Sequence, residues 1–310
     1  MTAERVLVTG ASGFAGPHVV AALAAAGYRV RVAQRRPGPP PAGAEDAVTT
    51  GDLAAPVDWG PALDGVRHVV HLAGLAHAGP GLDEDLYRRT NTQATIALGE
   101  AAARSGVGRF VFVSSIKAQT GAFDGPPLTE NDAPNPDDAY GRSKLAAEQG
   151  LAALDLDWIA LRPVLIYGPG VKANMAALLA LARLPIPLPL GGLTTPRSML
   201  AVENLAEAIR FALTDACPAR RSYIVSDPEP ISVADILSAL RAGLGRSPGL
   251  IPIPAGWLSA AARLIGRGDI IAKLSGGLVA RPEALLNAGW RPRTSTREAL
   301  MRLAAFRDAG

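Results

Sequence analysis

Short apolar runs alternate with alanine-rich segments along the first half of this 310-residue chain. The apolar runs are rich in β-branched residues and predict strands at 5–9, 29–33, 68–72, 109–114 and 158–162, with a later strand at 222–225. The alanine-rich segments between them predict helices at 16–26, 91–105 and 140–153. Strand and helix in this alternation predict an α/β fold with a doubly wound parallel sheet, covered by helices on both faces.

The pattern changes after residue 166. The prolines of ARLPIPLPLGG, at 182–192, are too closely spaced for a helix, and the later periodic segments look short. We therefore expect a main domain over residues 1–166, with a returning segment at about 195–227. A smaller, discontinuous α/β substrate-binding domain would take most of 167–310. The stretch RRPGPPPAG, at 35–43, is predicted to be a loop.

Composition excludes several classes of function. The net charge is only +3 and the arginines are scattered, so no nucleic-acid surface is indicated. Cys217 is the only cysteine, which excludes an intramolecular disulfide. The apolar stretch 251–271 is interrupted by Arg263, Arg267 and Asp269, and the first residues lack the pattern of a signal peptide. We expect a cytoplasmic protein without membrane insertion.

The four histidines show no metal-ligand spacing, so no metal site is predicted. His71 stands in an apolar strand and is expected to be a core or cofactor-lining residue.

A glycine-rich turn follows the first predicted strand. VTGASGFAG places Gly10, Gly13 and Gly16 where side chains would keep a phosphate from the amide groups of the next helix. An ordinary glycine-rich turn is the alternative. Because the motif lies in the first strand, turn and helix, we favour dinucleotide binding and a Rossmann domain.

The residues at the ends of the second and third predicted strands indicate which dinucleotide binds. A carboxylate at the end of the second strand would hold the ribose of NAD, but the sequence there is Gln34, Arg35, Arg36. The arginines could pair with a 2′-phosphate, which favours NADP within NAD(P), or could simply be solvated. Asp52, in GDL, suits an adenine contact or a turn. HLAG, at 71–74, closes the third strand with small residues that let the cofactor lie close.

The segment AYGRSKLAAE, at 139–148, carries the catalytic signal. Tyr140 and Lys144 lie about one helical turn apart, on one face. A lysine cation and an oxidised nicotinamide nearby would favour the phenolate, so that Tyr140 could exchange a proton with a carbinol. Ser115, at the end of the fourth predicted strand, could orient the same oxygen. A helix-cap serine, a half-buried tyrosine and a surface lysine are the bland alternatives.

These motifs resemble the extended short-chain dehydrogenases/reductases, in the nucleotide-sugar branch of the NAD-dependent epimerase/dehydratase family. The resemblance covers TGASGFAG, HLAG, NTQATIALGEAA, SSIK, YGRSK, LRPVLIYGPG and RSMLAVENLAEAI. It implies a Ser115, Tyr140 and Lys144 triad and, through two helices of the Rossmann domain, a homodimer. The predicted cofactor-binding residues are Gly10, Gly13, Phe14, Gly16, Arg35, Asp52, Leu53, Leu72, Ala73, Gly74, Asn91, Tyr140 and Lys144.

The resemblance also implies a UDP-sugar substrate. Besides Ser115, it places Asn174 and Arg197 at the nucleotide sugar, where Arg197 could pair with the diphosphate. A local cap and a surface charge are the alternatives for these two residues, and Lys172 is a weaker candidate for the same anion.

A finer similarity is to enzymes that act at C4 of UDP-N-acetylhexosamine derivatives, as 4-ketoreductases or 4-epimerases. Dehydration is disfavoured because Ile116 and Lys117, rather than an Asp–Glu pair, follow Ser115. A non-catalytic redox sensor or scaffold and a reductase of a non-nucleotide ketone stay open as alternatives.

Overall fold

A seven-stranded parallel sheet forms the centre of the protein. The computed structural model describes residues 3–76, 83–121, 125–171, 173–264, 274 and 276–306. The strand order is β3-β2-β1-β4-β5-β6-β9, and every described pairing in this sheet is parallel. Its strands are β1 (Arg5–Thr9), β2 (Arg29–Gln34), β3 (Asp46–Thr49), β4 (His68–His71), β5 (Arg109–Val113), β6 (Trp158–Pro163) and β9 (Arg221–Val225). A separate pair joins β7 (Leu165–Tyr167) to β8 (Met199–Ala201).

Helices connect and cover these strands. In the first half they are α1 (Gly16–Ala25), α2 (Gly60–Leu63), α3 (Glu84–Tyr87), a π-helical turn (Arg88–Gln93), α4 (Ala94–Arg104), a 3₁₀ turn (Ile116–Ala118) and α5 (Ala139–Ala152). In the second half they are α6 (Ala173–Arg183), α7 (Val202–Ala212), α8 (Val233–Gly243), α9 (Ala255–Leu264), α10 (Glu283–Ala288) and α11 (Thr296–Ala305). None of the described helices is long and apolar enough to cross a membrane.

The predicted α/β class and parallel sheet are confirmed, and the six predicted strands match β1, β2, β4, β5, β6 and β9. The expectation of only short periodic segments after residue 166 was wrong, because α6, α7 and α8 each have 11 residues. Helices of this length are marginal alone and are stabilised by packing. Here α8 packs against both α6 and α11.

Three hydrophobic clusters form the core of the described chain. One lies on the sheet and includes β1, β6 and β9 together with α1 and α7. A second packs other side chains of β1, β4, β5 and β6 against α4 and α5. The third is built from α6, α8 and α11 with the 188–193 segment. This arrangement supports our proposal of a main domain and a smaller second domain, with the chain returning at β8, α7 and β9 to the main sheet.

Candidate active site

The glycine-rich turn begins where β1 ends. Gly10 has a φ of +73°, and a Cβ there would lie 2.6 Å from the backbone nitrogen of Ala73. Only glycine therefore allows this turn to lie directly against the HLAG segment. The N-terminus of α1, after Ala15, has no side-chain cap that would compete with an anion. Within its first turn, Gly16 N donates to the Gly13 carbonyl at 3.1 Å and Pro17 has no N–H. This cradle fits the pyrophosphate of a dinucleotide.

Of the other predicted cofactor residues, Phe14 lies within this turn, Arg35 follows β2, and Asp52 and Leu53 follow β3. Phe14 is exposed and Leu53 is half-buried. Asp52 accepts a hydrogen bond from the Ala54 amide at 2.9 Å, so it does form the turn that was its alternative interpretation. Arg35 and Arg36 are exposed at the end of β2.

A close backbone approach brings Ser115 and Tyr140 together. Ser115 caps the 3₁₀ turn by accepting a hydrogen bond from the Lys117 amide at 3.2 Å. Helix α5 begins after Asp138, which caps it by accepting a hydrogen bond from Gly141 N at 2.6 Å. A Cβ at Gly141 would lie 2.2 Å from the Lys117 carbonyl oxygen. Glycine thus lets the first turn of α5 contact the Ser115 segment, which brings the Ser115 side chain near the Tyr140 phenol.

Burial raises the pKa of Tyr140 above its ordinary value of 10.0, and the Asp138 carboxylate acts in the same direction. The nearby Ser115 side chain opposes this rise in the pKa. In the protein alone the phenol is therefore protonated at neutral pH, and an additional positive charge is needed to favour the phenolate.

Lys144 is buried one turn further along α5. Its ammonium donates a hydrogen bond to the Val113 carbonyl at 3.0 Å and lies 4.5 Å from the centre of the Phe112 ring. Burial lowers the pKa of Lys144 from 10.5 to about 8, and the Glu148 carboxylate opposes this fall. The side chain is thus a buried cation at pH 7.

Asn91 joins the HLAG segment to helix α5. Its Oδ1 accepts a hydrogen bond from the Leu75 amide at 2.7 Å, and its Nδ2 donates to the Ser143 hydroxyl at 2.9 Å. Ser143 in turn donates to the Tyr140 carbonyl at 2.7 Å. A Cβ at Gly74 would lie 2.9 Å from Asn91 Oδ1 and 3.3 Å from Lys144 Nζ. The end of HLAG, Asn91 and helix α5 therefore meet at one place.

A relay of hydrogen bonds, absent from the sequence interpretation, runs through His71. Thr95 Oγ1 donates to the Asn91 carbonyl, so it accepts from Nε2 of His71 at 3.0 Å. The other ring nitrogen, Nδ1, is then an acceptor for the Thr9 hydroxyl at 2.7 Å, and Thr9 Oγ1 accepts from Ala73 N at 3.2 Å.

This chain of donors fixes one neutral tautomer of His71. Full burial and the nearby Lys144 charge lower the pKa of His71 to about 3. The expectation of a core residue is confirmed.

A buried ion pair under α5 was also not foreseen. Glu148 and Arg162 are both buried and are 2.6 Å apart at their closest atoms. The carboxylate also accepts from the Ser114 and Ser222 hydroxyls at 2.5 Å and 2.8 Å, and Arg162 donates to Gln119 Oε1 at 2.9 Å. The signal in the sequence was the spacing of Glu148 four residues after Lys144, which places both on one helix face.

The predicted substrate residues lie in the second half of the chain. Asn174 is exposed in the first turn of α6. The Arg197 guanidinium donates to the carbonyls of Leu274 and Gly276, and its buried Nε has no partner among the described residues. The salt bridges of the described residues include none to Arg197, and burial lowers its pKa. A partly buried cation without a carboxylate suits an anionic ligand. Lys172 lies outside the described residues.

Comparisons with known proteins show the family to which the chain is similar. The model of the NAD dependent epimerase/dehydratase family matches residues 6–225. A UDP-glucose 4-epimerase of Vibrio cholerae is 34% identical over 320 residues, covering 99% of this chain and 96% of that protein. A ceramide reductase of Caulobacter vibrioides is 31% identical, covering 93% of this chain and 86% of that protein. The structure of MoeE5 in complex with UDP-glucose and NAD is 28% identical, with a TM-score of 0.73 and 97% of each chain covered.

Proposed function

Because the chain belongs to the NAD-dependent epimerase/dehydratase family, we propose that it acts at carbon 4 of the sugar of a UDP-sugar. It is an NAD-dependent enzyme of the nucleotide-sugar epimerase/dehydratase type. The observation that carries the finer proposal is that the Ser115 side chain lies close enough to Tyr140 to lower the pKa of its phenol, one helical turn along α5 from the buried ammonium of Lys144. These three side chains lie on elements that reach the carboxyl end of the sheet, where the Gly10 cradle would hold the cofactor.

Each residue of this triad has an assigned role. NAD supplies the hydride acceptor and donor when it is bound. Tyr140 takes the proton from the sugar O4 hydroxyl and returns it, while the Ser115 hydroxyl holds the same oxygen in place. Since burial alone raises the pKa of Tyr140, the phenolate requires a nearby cation, and Lys144 is the cation that we assign. With a pKa of about 8, Lys144 carries its charge at neutral pH.

A Tyr140→Phe variant tests the catalytic role. We expect kcat on UDP-glucose or UDP-N-acetylglucosamine to fall about 10²–10⁴-fold, the usual contribution of a positioned acid/base group. Tyr28→Phe is the matched control, because Tyr28 packs against His68 at a distance from α5. Unchanged turnover in Tyr140→Phe would contradict the proposal and would favour a non-catalytic redox sensor or scaffold.

The nucleotide part of the substrate is assigned to Arg197 and Asn174. Arg197 is a partly buried guanidinium held by two backbone carbonyls, which leaves its charge for a diphosphate. Asn174 lies at the start of α6, where an amide side chain can donate to the same phosphates. We expect Arg197→Ala to weaken UDP binding at least about tenfold in calorimetry, and Arg297→Ala, which removes an exposed arginine from α11, to leave it unchanged.

The same triad would serve a 4-ketoreductase or a 4-epimerase of a UDP-N-acetylhexosamine derivative. Incubation with a UDP-4-keto-6-deoxyhexosamine and NADH separates them. Lasting loss of nicotinamide absorbance identifies reduction, whereas a 4-hydroxy epimer formed from a UDP-hexosamine without net cofactor loss identifies epimerisation.

Arg35 and Arg36 support a preference for NADP over NAD within this cofactor class. Both are exposed, and the side chain of Gln34, where NAD-specific enzymes place a carboxylate, donates to the Pro39 carbonyl at 3.2 Å. Replacing Arg35 by Ser should raise the KM for NADPH and leave the KM for NADH unchanged. Equal effects on both cofactors would show that the arginine does not contact the 2′-phosphate.

A second candidate function is reduction of a lipid-like ketone. It is favoured by the similarity to a ceramide reductase over 93% of this chain and by Leu165, an exposed apolar residue on β7. This function would need no diphosphate contact, so Arg197→Ala would leave turnover of the ketone intact while Tyr140→Phe abolished it.

A further inference from the structure

The second half of the chain contains two long segments without acidic residues. No Asp or Glu occurs between Asp157 and Glu203, or between Asp235 and Asp269. Over the same segments the sequence has eight basic residues: Arg162, Lys172, Arg183, Arg197, Arg241, Arg246, Arg263 and Arg267. The whole protein has a net charge of only +3, so this is a local separation of charge.

The large apolar side chains exposed in the described chain concentrate in these segments. They include Leu184, Ile186, Ile251 and Trp257, which are 41%, 55%, 47% and 76% exposed. Phe306, after α11, is 50% exposed. Single exposed apolar residues are common on protein surfaces, but several beside one another indicate an interaction surface.

Contacts along the backbone bring most of these residues to one surface. Arg183, at the end of α6, lines a cleft of about 410 Å³ together with Phe306. The Arg246 guanidinium donates to the Arg183 carbonyl. We call Arg183, Leu184, Ile186, Arg246, Ile251 and Phe306 the basic apolar face.

The buried Arg241 fastens the segments of this face together. Its guanidinium donates to the carbonyls of Leu184 and Ile186 at 3.1 Å and 2.7 Å, and to that of Gly249 at 3.2 Å. The Ile251 amide then donates to the Leu188 carbonyl at 2.8 Å. Leu184, Ile186 and Ile251 therefore project from loops that one internal cation holds in register.

The basic apolar face is separate from the proposed substrate site. Asn174 lies in the first turn of α6 and Arg183 ends the helix, and nine residues of α-helix span about 14 Å. Arg183 and Arg246 also form none of the salt bridges found among the described residues. Contacts with helix-end carbonyls explain why arginines lie here, but they do not explain the exposed leucine, isoleucines and phenylalanine.

We propose that the basic apolar face binds the surface of an anionic lipid bilayer. Apolar side chains at such a surface enter the boundary between headgroups and acyl chains, while arginines beside them pair with anionic headgroups. A folded protein partner would need a groove shaped for side chains that project singly from loops, whereas a bilayer accepts them anywhere. The bridge between Gly192 and Pro254 extends the pairing of the same two loops, and Trp257 follows this bridge by three residues. Tryptophan is enriched at bilayer interfaces.

Vesicle sedimentation tests this proposal with the full chain. We expect binding to vesicles that contain phosphatidylglycerol, none to pure phosphatidylcholine, and weaker binding as salt rises. Trp257 is exposed while Trp59, Trp158 and Trp290 are buried, so a blue shift of tryptophan emission on vesicle addition would report its insertion. Absence of binding, or equal binding to both vesicles, would overturn the proposal.

Variants locate the face and separate this proposal from the catalytic one. Arg246→Glu should weaken vesicle binding at least about fivefold, since one basic residue near an anionic surface contributes about that factor. Ile186→Ser should weaken it as well, whereas Arg104→Glu, an equal charge change at an exposed arginine of α4, should not.

All three variants should keep wild-type melting temperatures and turnover of a water-soluble UDP-sugar, because they lie outside the proposed site. An equal loss of vesicle binding in Arg104→Glu would show that binding depends on the net charge of the protein and not on the basic apolar face. Concentration-dependent dimerisation that Ile186→Ser abolishes, without lipid binding, would instead assign the face to a second copy of the chain.

Discussion

Lys144→Met is expected to stabilise the cofactor-free protein while it abolishes turnover. Burial lowers the pKa of Lys144 from 10.5 to about 8, even against the Glu148 carboxylate. This fall corresponds to about 3 kcal/mol, at about 1.4 kcal/mol per tenfold change in proton affinity. A methionine of similar length removes that cost but also loses the hydrogen bond to Val113, which contributes about 1 kcal/mol. The expected net gain in the free energy of unfolding at pH 7 is therefore about 2 kcal/mol.

The sign of the pH dependence follows from the same pKa. The unfolded chain keeps the proton on Lys144 up to a pH of 10.5, whereas the folded protein loses it above about 8. The wild type therefore gains stability as the pH rises from 8 to 10.5, because its neutral lysine no longer carries a buried charge. The advantage of Lys144→Met should shrink over this window and be nearly lost at its upper end.

Urea unfolding of the cofactor-free protein at pH 7 and at pH 10 measures both effects. Lys117→Met is the matched control, because Lys117 is a partly exposed lysine on the 3₁₀ turn whose ion pairs with Asp137 and Asp138 lie at the surface, and its change should stay within about 1 kcal/mol at either pH. A Lys144→Met protein that is less stable than wild type at pH 7, or whose advantage is equal at both pH values, would refute the reasoning.

Three further changes test the supports of the site. Arg162→Met leaves the Glu148 carboxylate buried without its ion-pair partner and should lower the free energy of unfolding in urea by about 3–5 kcal/mol. Adding Glu148→Leu to this variant should recover part of the loss. Two substitutions whose separate losses simply add in the double variant would contradict the pairing. His71→Phe should cost about 2–4 kcal/mol at pH 7, because it removes the acceptor of the Thr9 hydroxyl and the donor to Thr95 Oγ1. The deficit should shrink by about 2 kcal/mol at pH 5, because the wild-type imidazole has a pKa of about 3 and must stay unprotonated. A constant deficit would argue against the neutral relay. Gly141→Ala places a Cβ against the Lys117 carbonyl and should displace the start of α5 that carries Tyr140. Steady-state kinetics should then show kcat lowered about tenfold or more at unchanged cofactor affinity. An unchanged kcat would show that this contact does not position Tyr140.

The sequence predicted the main sheet because its strands are buried on both faces and therefore read as uniform apolar runs. VLV in β1 and FVFV in β5 are examples. β3 was missed because its four residues are only partly buried at the sheet edge and carry no such run. β7 and β8 have three residues each and are defined by their pairing with one another, not by a local pattern.

Within the site, the predictable part was local. The spacing of Tyr140 and Lys144 fixes their face of α5, and the turn at Gly10 has its own motif. The relay through His71 was not predictable, since it joins Thr9 and His71 across 62 residues. The charge balance at Lys144 also depends on burial, which spacing alone does not give.

The position of β9 has a consequence for synthesis of the chain. β9 pairs with β6 and completes the main sheet, yet it follows β6 by about 60 residues. At about 5–20 residues per second, a ribosome exposes the free hydrogen-bonding edge of β6 for roughly 3–12 s before its neighbour emerges. During that interval the nascent protein has an open strand edge available to other chains. Substitutions that slow the docking of β9 should therefore reduce the yield of native protein in cells before they alter its stability once folded.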